Sequence, residues 1–305
     1  MISELNFHPV ALDDYNVVWK YMSKHGEGSC QHSFVTLFSL YEKYGDAICE
    51  QDGFLYVLRE HLCRDGVRVY LAPMGDGDRK EAFEKILEDA HSHHAVAEFQ
   101  TLTETASRFL EEQFPGKFQI TECRDYAEYI YSTEQMATFA GKKLRKKRQE
   151  INRFYREYGD RVSVTRIRKE DFPEILEFEK KWLWQNREDH DRCALEREAR
   201  AIDLQLENYD ALHLSGIVVR IDNTVHGYGY GTPLSDTYYD ALIEKGDRDV
   251  PDIYRVLRQE SVKQCALSHT YVNLEEDVGI EGLRALKLSY QPEILLKKYI
   301  VRENL

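Results

Sequence analysis

The sequence predicts a mixed α/β protein built as two similar halves, and three observations carry that expectation. Helical and extended segments recur in one order in each half: a hairpin, an additional strand, a helix, a strand and a further helix. The chain has 305 residues, roughly two domains' worth, and 42% of them are hydrophobic, ample for two cores. Strand and helix do not alternate from the start, and the chain has no Gly-x-Gly-x-x-Gly turn and no phosphate loop ending in Gly-Lys-Ser/Thr. Those absences argue against a Rossmann or P-loop unit.

In the first half, helices are expected at Leu12–Tyr21 and Phe34–Tyr44, then strands at Gly53–Glu60 and Val67–Pro73 joined by a polar loop ending in Asp65-Gly66. Met74-Gly-Asp-Gly-Asp78 breaks the chain before an amphipathic helix, Arg79–His91, with Phe83, Ile86, Leu87 and Ala90 on one face. A strand at Ala95–Leu102, a helix at Glu104–Phe114 and an extended run at Phe118–Tyr131 follow. A long helix is expected over Thr133–Tyr158, closed by Gly159-Asp160. The second half starts with a strand, Arg161–Ile167, and helices near Glu170–Gln185 and Arg192–Tyr209. Strands Leu214–Ile221 and Val225–Thr232 meet at Asp222-Asn223, a hairpin turn. Thr237–Glu244 is a further strand, and a helix begins with Pro251 in its first turn. A strand at Thr270–Glu275, a helix at Gly279–Leu288 and a strand-like run at Ile294–Val301 complete the reading. The expected units are residues 1–159, including the basic helix, and 160–305.

Charge is unevenly distributed. The chain carries 41 basic and 54 acidic residues, a formal −13, which by itself disfavours polyanionic partners. Yet Lys142-Lys143-Leu144-Arg145-Lys146-Lys147-Arg148 holds six of the positive charges, and setting them aside leaves 35 basic against 54 acidic residues, −19. Leu144, Ile151, Tyr155 and Tyr158 are spaced as the apolar stripe of a docked helix, leaving the cations around its remaining circumference. With Asn152 and Arg153 they form a candidate phosphate or tRNA surface; a self-paired helix with Glu150 and Glu157 is the plainer alternative. Aromatic residues are not interleaved with the charges, which argues against stacking recognition of single strands. The six cysteines have no Cys-x-x-Cys spacing, and His91-Ser-His93-His94 has no companion ligands, so no metal is expected. No apolar run spans a bilayer and the N-terminus lacks a signal pattern, so a soluble cytoplasmic protein is expected.

Three stretches carry a resemblance: Ala140–Phe154, Tyr271-Val-Asn-Leu-Glu-Glu-Asp-Val-Gly-Ile-Glu-Gly-Leu-Arg284, and Lys287-Leu-Ser-Tyr-Gln-Pro292 continuing to Lys297-Lys-Tyr299. Together they resemble the soluble bacterial family related to the C-terminal domain of phosphatidylglycerol lysyltransferase. That resemblance implies two tandem GNAT-like units, as in Fem-type peptidyltransferases, and an acyltransferase whose sheet splays to admit a thioester or acyl ester. It implies a donor, coenzyme A as acyl-CoA in the first reading and aminoacyl-tRNA in the second, and an amine or hydroxyl acceptor. In the second reading the acceptor is a lipid or peptide. A non-catalytic CoA, nucleotide or RNA binder on the same fold is the third.

The resemblance also suggests site residues. Glu244 and Lys245 end the central strand of the C-terminal unit, where acid–base groups of this fold project; a solvated ion pair is the alternative. Asn273 and Glu275 alternate along the next strand, with Asp277 just beyond, either converging on a site or capping the following helix. Tyr290 follows that helix, where a proton donor to the leaving group is expected. The donor pyrophosphate would meet the helix start at Arg248, Asp252, Ile253 and Tyr254. There Pro251 and Ile253 replace the glycines of the usual GNAT loop, whereas Met74-Gly75-Asp-Gly77 in the first half is closer in glycine content. Arg284 and Lys287, three apart on one helix, would hold an anionic donor group.

Overall fold

The computed structural model describes residues 4–188 and 191–304. In chain order the elements begin with β1 (His8–Pro9), α1 (Tyr15–His25), α2 (Phe34–Ser39), α3 (Tyr41–Tyr44), β2 (Asp46–Gln51), β3 (Phe54–Arg59) and β4 (Val67–Tyr70). Then come β5 (Met74–Gly75), α4 (Arg79–Ser92), β6 (Val96–Leu102), α5 (Glu104–Gln113) and β7 (Phe118–Glu122). β8 (Glu128–Ser132), α6 (Thr133–Thr138), α7 (Arg145–Tyr158), β9 (Val162–Arg166), α8 (Phe172–Asn186) and α9 (Arg192–Glu207) follow. The chain ends with β10 (Ser215–Ile221), β11 (Thr224–Pro233), β12 (Tyr238–Gly246), α10 (Ile253–Ser261), β13 (Tyr271–Glu276), α11 (Glu281–Leu288), β14 (Ile294–Leu296) and β15 (Tyr299–Glu303).

Two sheets result. One runs β1-β2-β3-β4-β6-β15-β7, with β5 on β3; the other runs β14-β8-β13-β12-β11-β10-β9. The repeat read from the sequence is present: β2-β3-β4-α4-β6-α5 matches β10-β11-β12-α10-β13-α11. The single parallel pairing of each repeat falls at the same place, β4 with β6 and β12 with β13. Each sheet also takes in a strand from the opposite half of the sequence. β15 lies between β6 and β7, and β8 lies between β13 and β14.

The compact units therefore do not follow a cut at 159/160. One holds the described residues up to Glu128, Glu276–Arg284 and the residues from Leu295; the other holds Tyr129–Glu275 and Ala285–Ile294. The basic helix belongs to the second, because Ile151 and Phe154 pack in its core with Ile217, Val219, Val256 and Leu257. The core of the first gathers Tyr56, Tyr70, Phe83, Ile86, Phe99 and Val301.

Five local expectations change. The first hairpin is β2–β3, turned by Asp52 and Gly53 at positive φ, the chemistry of a two-residue turn; β2 itself has no clear alternation because Ala47, Ile48 and Cys49 are all buried. The run Phe118–Tyr131 is two strands in different sheets, and Ile294–Val301 likewise divides between β14 and β15. The expected helix Thr133–Tyr158 breaks after Thr138, where Phe139 and then Gly141 take left-handed φ values of 47° and 88°. The buried stripe of α7 is Leu144, Lys147, Ile151 and Phe154, while Tyr155 stays exposed.

The first unit contains a buried polar network that joins its last strand to the loop between α1 and α2. Lys298 and Glu128 are both fully buried, with Nζ 2.6 Å from Oε1. Lys298 also donates to Ser29 Oγ, Ser29 donates to Glu128 Oε1 at 2.8 Å, and the Cys30 N–H donates to Oε2 at 2.9 Å. A buried pair satisfied this fully is costly to halve, since removing one member strands the other charge. Lys298→Met is thus expected to lose about 3–5 kcal/mol in urea unfolding, and Lys298→Met/Glu128→Leu to recover part of that loss. Equal stability of Lys298→Met and the parent would refute this.

His32, on the same loop, is buried with Nδ1 3.1 Å from the Gly26 carbonyl, and burial followed by the Lys298 charge lowers its pKa to about 4. The folded state therefore keeps the ring neutral while the unfolded chain protonates it near the usual 6.5. Its contribution is present above that value and is lost as pH falls towards 4. The melting temperature of His32→Asn should accordingly fall less between pH 6.5 and 4 than that of the parent. Parallel curves would show that His32 has no part in the acid sensitivity.

Candidate active site

The second sheet opens where its parallel pair ends. β12 and β13 pair over Tyr238–Asp240 and Tyr271–Asn273, after which β12 continues to Gly246 without that partner. A bulge lies just beyond. Tyr230 faces Ile243 and Thr232 faces Asp240, so Ala241 and Leu242 stand opposite the single Gly231. The extra residue reverses the parity of the strand. Glu244 then points to the face covered by α10, and Lys245 to the face covered by α8.

These two residues consequently belong to different environments, not to one strand-end pair. Arg258 on α10 donates to Glu244 Oε2 through Nε and Nη2, at 3.0 and 2.5 Å. Lys245 is buried, with Nζ 3.5 Å from the centre of the Trp182 ring, 3.8 Å from Glu179 and paired with Glu198. Tyr228 donates to Glu179 at 2.6 Å on the same side.

Helix α10 comes close to the sheet because β11 reads Gly227-Tyr-Gly229 beneath it. A Cβ on Gly227 would sit 2.9 Å from the Leu257 side chain, and one on Gly229 3.3 Å from Ser261 Oγ. That approach brings Arg258 and Ser261 to the opening. There a cavity of about 20 Å³ is lined by Ala241, Ile243, Glu244, Arg258, Ser261 and Leu274, among others. Glu244 Oε1, Arg258 Nη1 and Ser261 Oγ are buried and lack a hydrogen-bond partner among the described residues. Sequence reasoning missed Arg258 and Ser261. The period of α10 marks them as inward-facing, but only the bulge in β12 decides what they face.

Tyr290 is fully buried and serves as a platform for cations. Lys147 Nζ lies 4.4 Å and Arg258 4.7 Å from its ring centre, and Arg255 donates to its hydroxyl at 2.9 Å. Arg255 is balanced by Glu150 of α7 at 2.8 Å. Burial raises the phenol pKa, with Arg258 and Arg255 opposing. Burial also lowers that of Lys147, helped by Arg255.

The remaining candidates are placed as follows. Asn273 is buried and accepts the Glu275 N–H at 2.7 Å, and Glu275 has a φ of 58°, which makes a local turn at the end of β13. Asp277 lies in the other unit, bonded to the Gly279 N–H and paired with Arg124 and Arg284. Arg284 is thus held by Asp277 and Asp125, and Lys287 donates to the Leu274 carbonyl at 2.5 Å. At the start of α10, Asp252 accepts from Arg153 at 2.6 and 2.7 Å. Ile253 is buried, Tyr254 donates to the Gly246 carbonyl at 3.1 Å, and Arg248 donates to the Gln185 carbonyl at 2.6 Å. That helix start therefore carries a carboxylate paired with Arg153.

The basic segment divides. Lys142, Lys143, Arg145 and Lys146 are exposed, as is Asn152, whereas Lys147 is buried on Tyr290. Arg148 donates to the carbonyls of Phe139 and of Gly141, the latter at 2.8 Å, holding the bend between α6 and α7. Four cations of the six therefore face solvent at the start of α7, which has no side-chain cap. Among the described residues no group of three or more His, Cys, Asp or Glu is arranged for a metal ion, and no helix is long and apolar enough to cross a membrane.

Two mixed sheets, in each of which a helix connects a parallel pair of strands, define the class: a tandem GNAT-like acyltransferase fold. The chain belongs to the family Phosphatidylglycerol lysyltransferase, C-terminal, which matches residues 25–302. Its structure is similar to that of a conserved protein of unknown function from Bacteroides thetaiotaomicron VPI-5482, 31% identical with a TM-score of 0.93 over 98% of this chain and 100% of that one. It shares its fold with L-PGS from Bacillus licheniformis, 14% identical, TM-score 0.66, covering 99% and 93% of the two chains. A tandem GNAT protein from the clavulanic acid biosynthesis pathway is 10% identical with a TM-score of 0.50, covering 99% and 98%. An uncharacterized protein of Mycoplasmoides gallisepticum is 25% identical over 177 residues, 57% of this chain and 55% of that protein. The chain thus spans little more than half of that curated relative.

Proposed function

We propose that the protein is an aminoacyltransferase that draws its acyl group from an aminoacyl-tRNA and passes it to an amine or hydroxyl. The observation that carries this reading lies within the second unit: four solvent-facing cations in and just before the first turn of α7, a helix packed on α10 through Glu150–Arg255 and Arg153–Asp252. A polyanionic donor contacts such a cluster through its backbone phosphates. Family membership supports the same chemistry, since its name denotes aminoacyl transfer. The Asp252 carboxylate at the start of α10 weighs against an acyl-CoA donor bound by the usual loop.

In this reading the acceptor attacks the ester carbonyl, the bond to the ribose oxygen breaks, and the ribose hydroxyl leaves with a proton. The opened strands offer the acyl end an entry where β12 runs on without β13.

Gel-shift titration with bulk tRNA tests the donor. Binding is expected to weaken steeply with salt, and replacing Lys142, Lys143, Arg145 and Lys146 with Ala should reduce the log–log salt slope by about three. Lys147→Ala should instead lower thermal stability, because Lys147 is buried on Tyr290. No shift at low salt, or saturable binding of coenzyme A in its place, would sink the aminoacyl-tRNA reading.

A further inference from the structure

The first unit carries an arginine whose hydrogen-bonding capacity is unspent. Arg79 opens α4 and is half-buried, its guanidinium 4.8 Å from the centre of the Phe109 ring and 5.8 Å from that of Phe83. Those two rings stack at 5.8 Å, so the guanidinium lies across an aromatic wall built by α4 and α5. Among the described residues it makes no hydrogen bond and no ion pair. Burial lowers its pKa, opposed by the charge of Glu27, whose carboxylate is engaged by Thr103 at 2.9 Å. The internal repeat shows what is missing. In the matching helix of the second unit, Arg255 of the first turn has both a carboxylate, Glu150 at 2.8 Å, and an aromatic partner, Tyr290. Arg79 has the aromatic partners and no carboxylate.

Beside Arg79, the cleft between α4 and α5 has a volume of about 320 Å³, open to solvent and within the range of small-molecule sites. Thr105, Arg108, Phe109 and Glu112 line it from one face of α5, and Glu104 joins them. The start of α4 is already served, because Asp78 caps it, accepting the N–H groups of Lys80 and Glu81 at 2.9 and 3.2 Å. A guest is therefore met by side chains. A guanidinium laid flat on a ring keeps its edge free, and that edge matches a carboxylate through two parallel hydrogen bonds. Glu104 is answered by Arg108 at 3.1 Å, whereas Glu112, about 10 Å along the helix from Thr105, has no partner among the described residues. A dianion such as a phosphate is repelled there more than a monoanion is. The cleft is larger than a carboxylate, and the part-exposed Phe109 ring gives the remainder of a ligand an apolar wall. We propose that this cleft binds a small monocarboxylate with an apolar body, the carboxylate on the edge of Arg79 and the body along Phe109. The site belongs to the first unit and does not rest on the donor proposed above.

Amide-resolved NMR titration of the whole chain tests this with phenylacetate, its neutral isostere phenylacetamide, acetate and phenyl phosphate. Phenylacetate is expected to bind saturably and to shift the amide signals of Arg79, Thr105 and Phe109. Phenylacetamide should bind at least about tenfold more weakly, because it leaves the cation unanswered. Acetate lacks the body and phenyl phosphate adds a charge, so both should also bind more weakly than phenylacetate. Arg79→Met keeps a contact with Phe109 and should lower the phenylacetate affinity about tenfold, while Arg79→Lys should lose less. The acid–amide pair on the parent protein keeps the test intact if Arg79→Met does not fold. Equal affinities for phenylacetate and phenylacetamide, or an Arg79→Met variant that binds phenylacetate as the parent does, would overturn the site. Shifts confined to residues outside the cleft, or no saturable binding up to about 10 mM, would overturn it as well. Acetate or phenyl phosphate binding as tightly as phenylacetate would overturn the assigned ligand class.

Discussion

The first unit depends on a lysine that has no access to water. Lys298 sits one residue before β15, the strand that fills the gap between β6 and β7, and its ammonium is met by Glu128 and Ser29. Burying an ammonium is tolerable only with its counter-charge and hydrogen bonds in place. The loop carrying Ser29 and Cys30 must therefore be folded, and Glu128 must be in position, before β15 can settle. The last strand of the chain and a loop near its start become mutually dependent, although 269 residues separate Ser29 from Lys298.

A comparable dependence shapes the second unit, with backbone geometry as its source. One extra residue in β12 opposite Gly231 turns Glu244 towards α10 and Lys245 towards α8. Without that bulge the two would exchange faces, since side chains alternate along a strand. Arg258 would then lose its carboxylate, and Lys245 its aromatic and acidic surroundings. The glycines of β11 complete the arrangement by letting α10 lie low on the sheet. A three-atom polar set at the strand opening is the outcome, and none of its members is close to the others in sequence save Arg258 and Ser261.

The charge distribution is resolved in the same way. A −13 chain with a basic run at 142–148 suggests one polyanion-facing element, and the structure trims that run to four exposed cations. Lys147 and Arg148 serve folding: one lies on Tyr290, the other holds the carbonyls at the bend after α6. Tyr290, expected as a proton donor, is enclosed by Lys147, Arg255 and Arg258.

By itself the sequence determined the repeated α/β order, most element positions and the family resemblance, because periodicity, turn residues and local motifs are short-range properties. Arg79–Ser92, Glu104–Gln113 and the Asp222-Asn223 hairpin were legible for that reason. It also pointed to Glu244, together with Lys245, as acid–base groups at the end of one strand. Which sheet receives β8 and β15, which face Glu244 takes, and that Lys298 is buried were decided by tertiary structure alone. Strand order, bulge parity and the pairing of buried charges depend on residues brought together over long separations, and no local pattern encodes them.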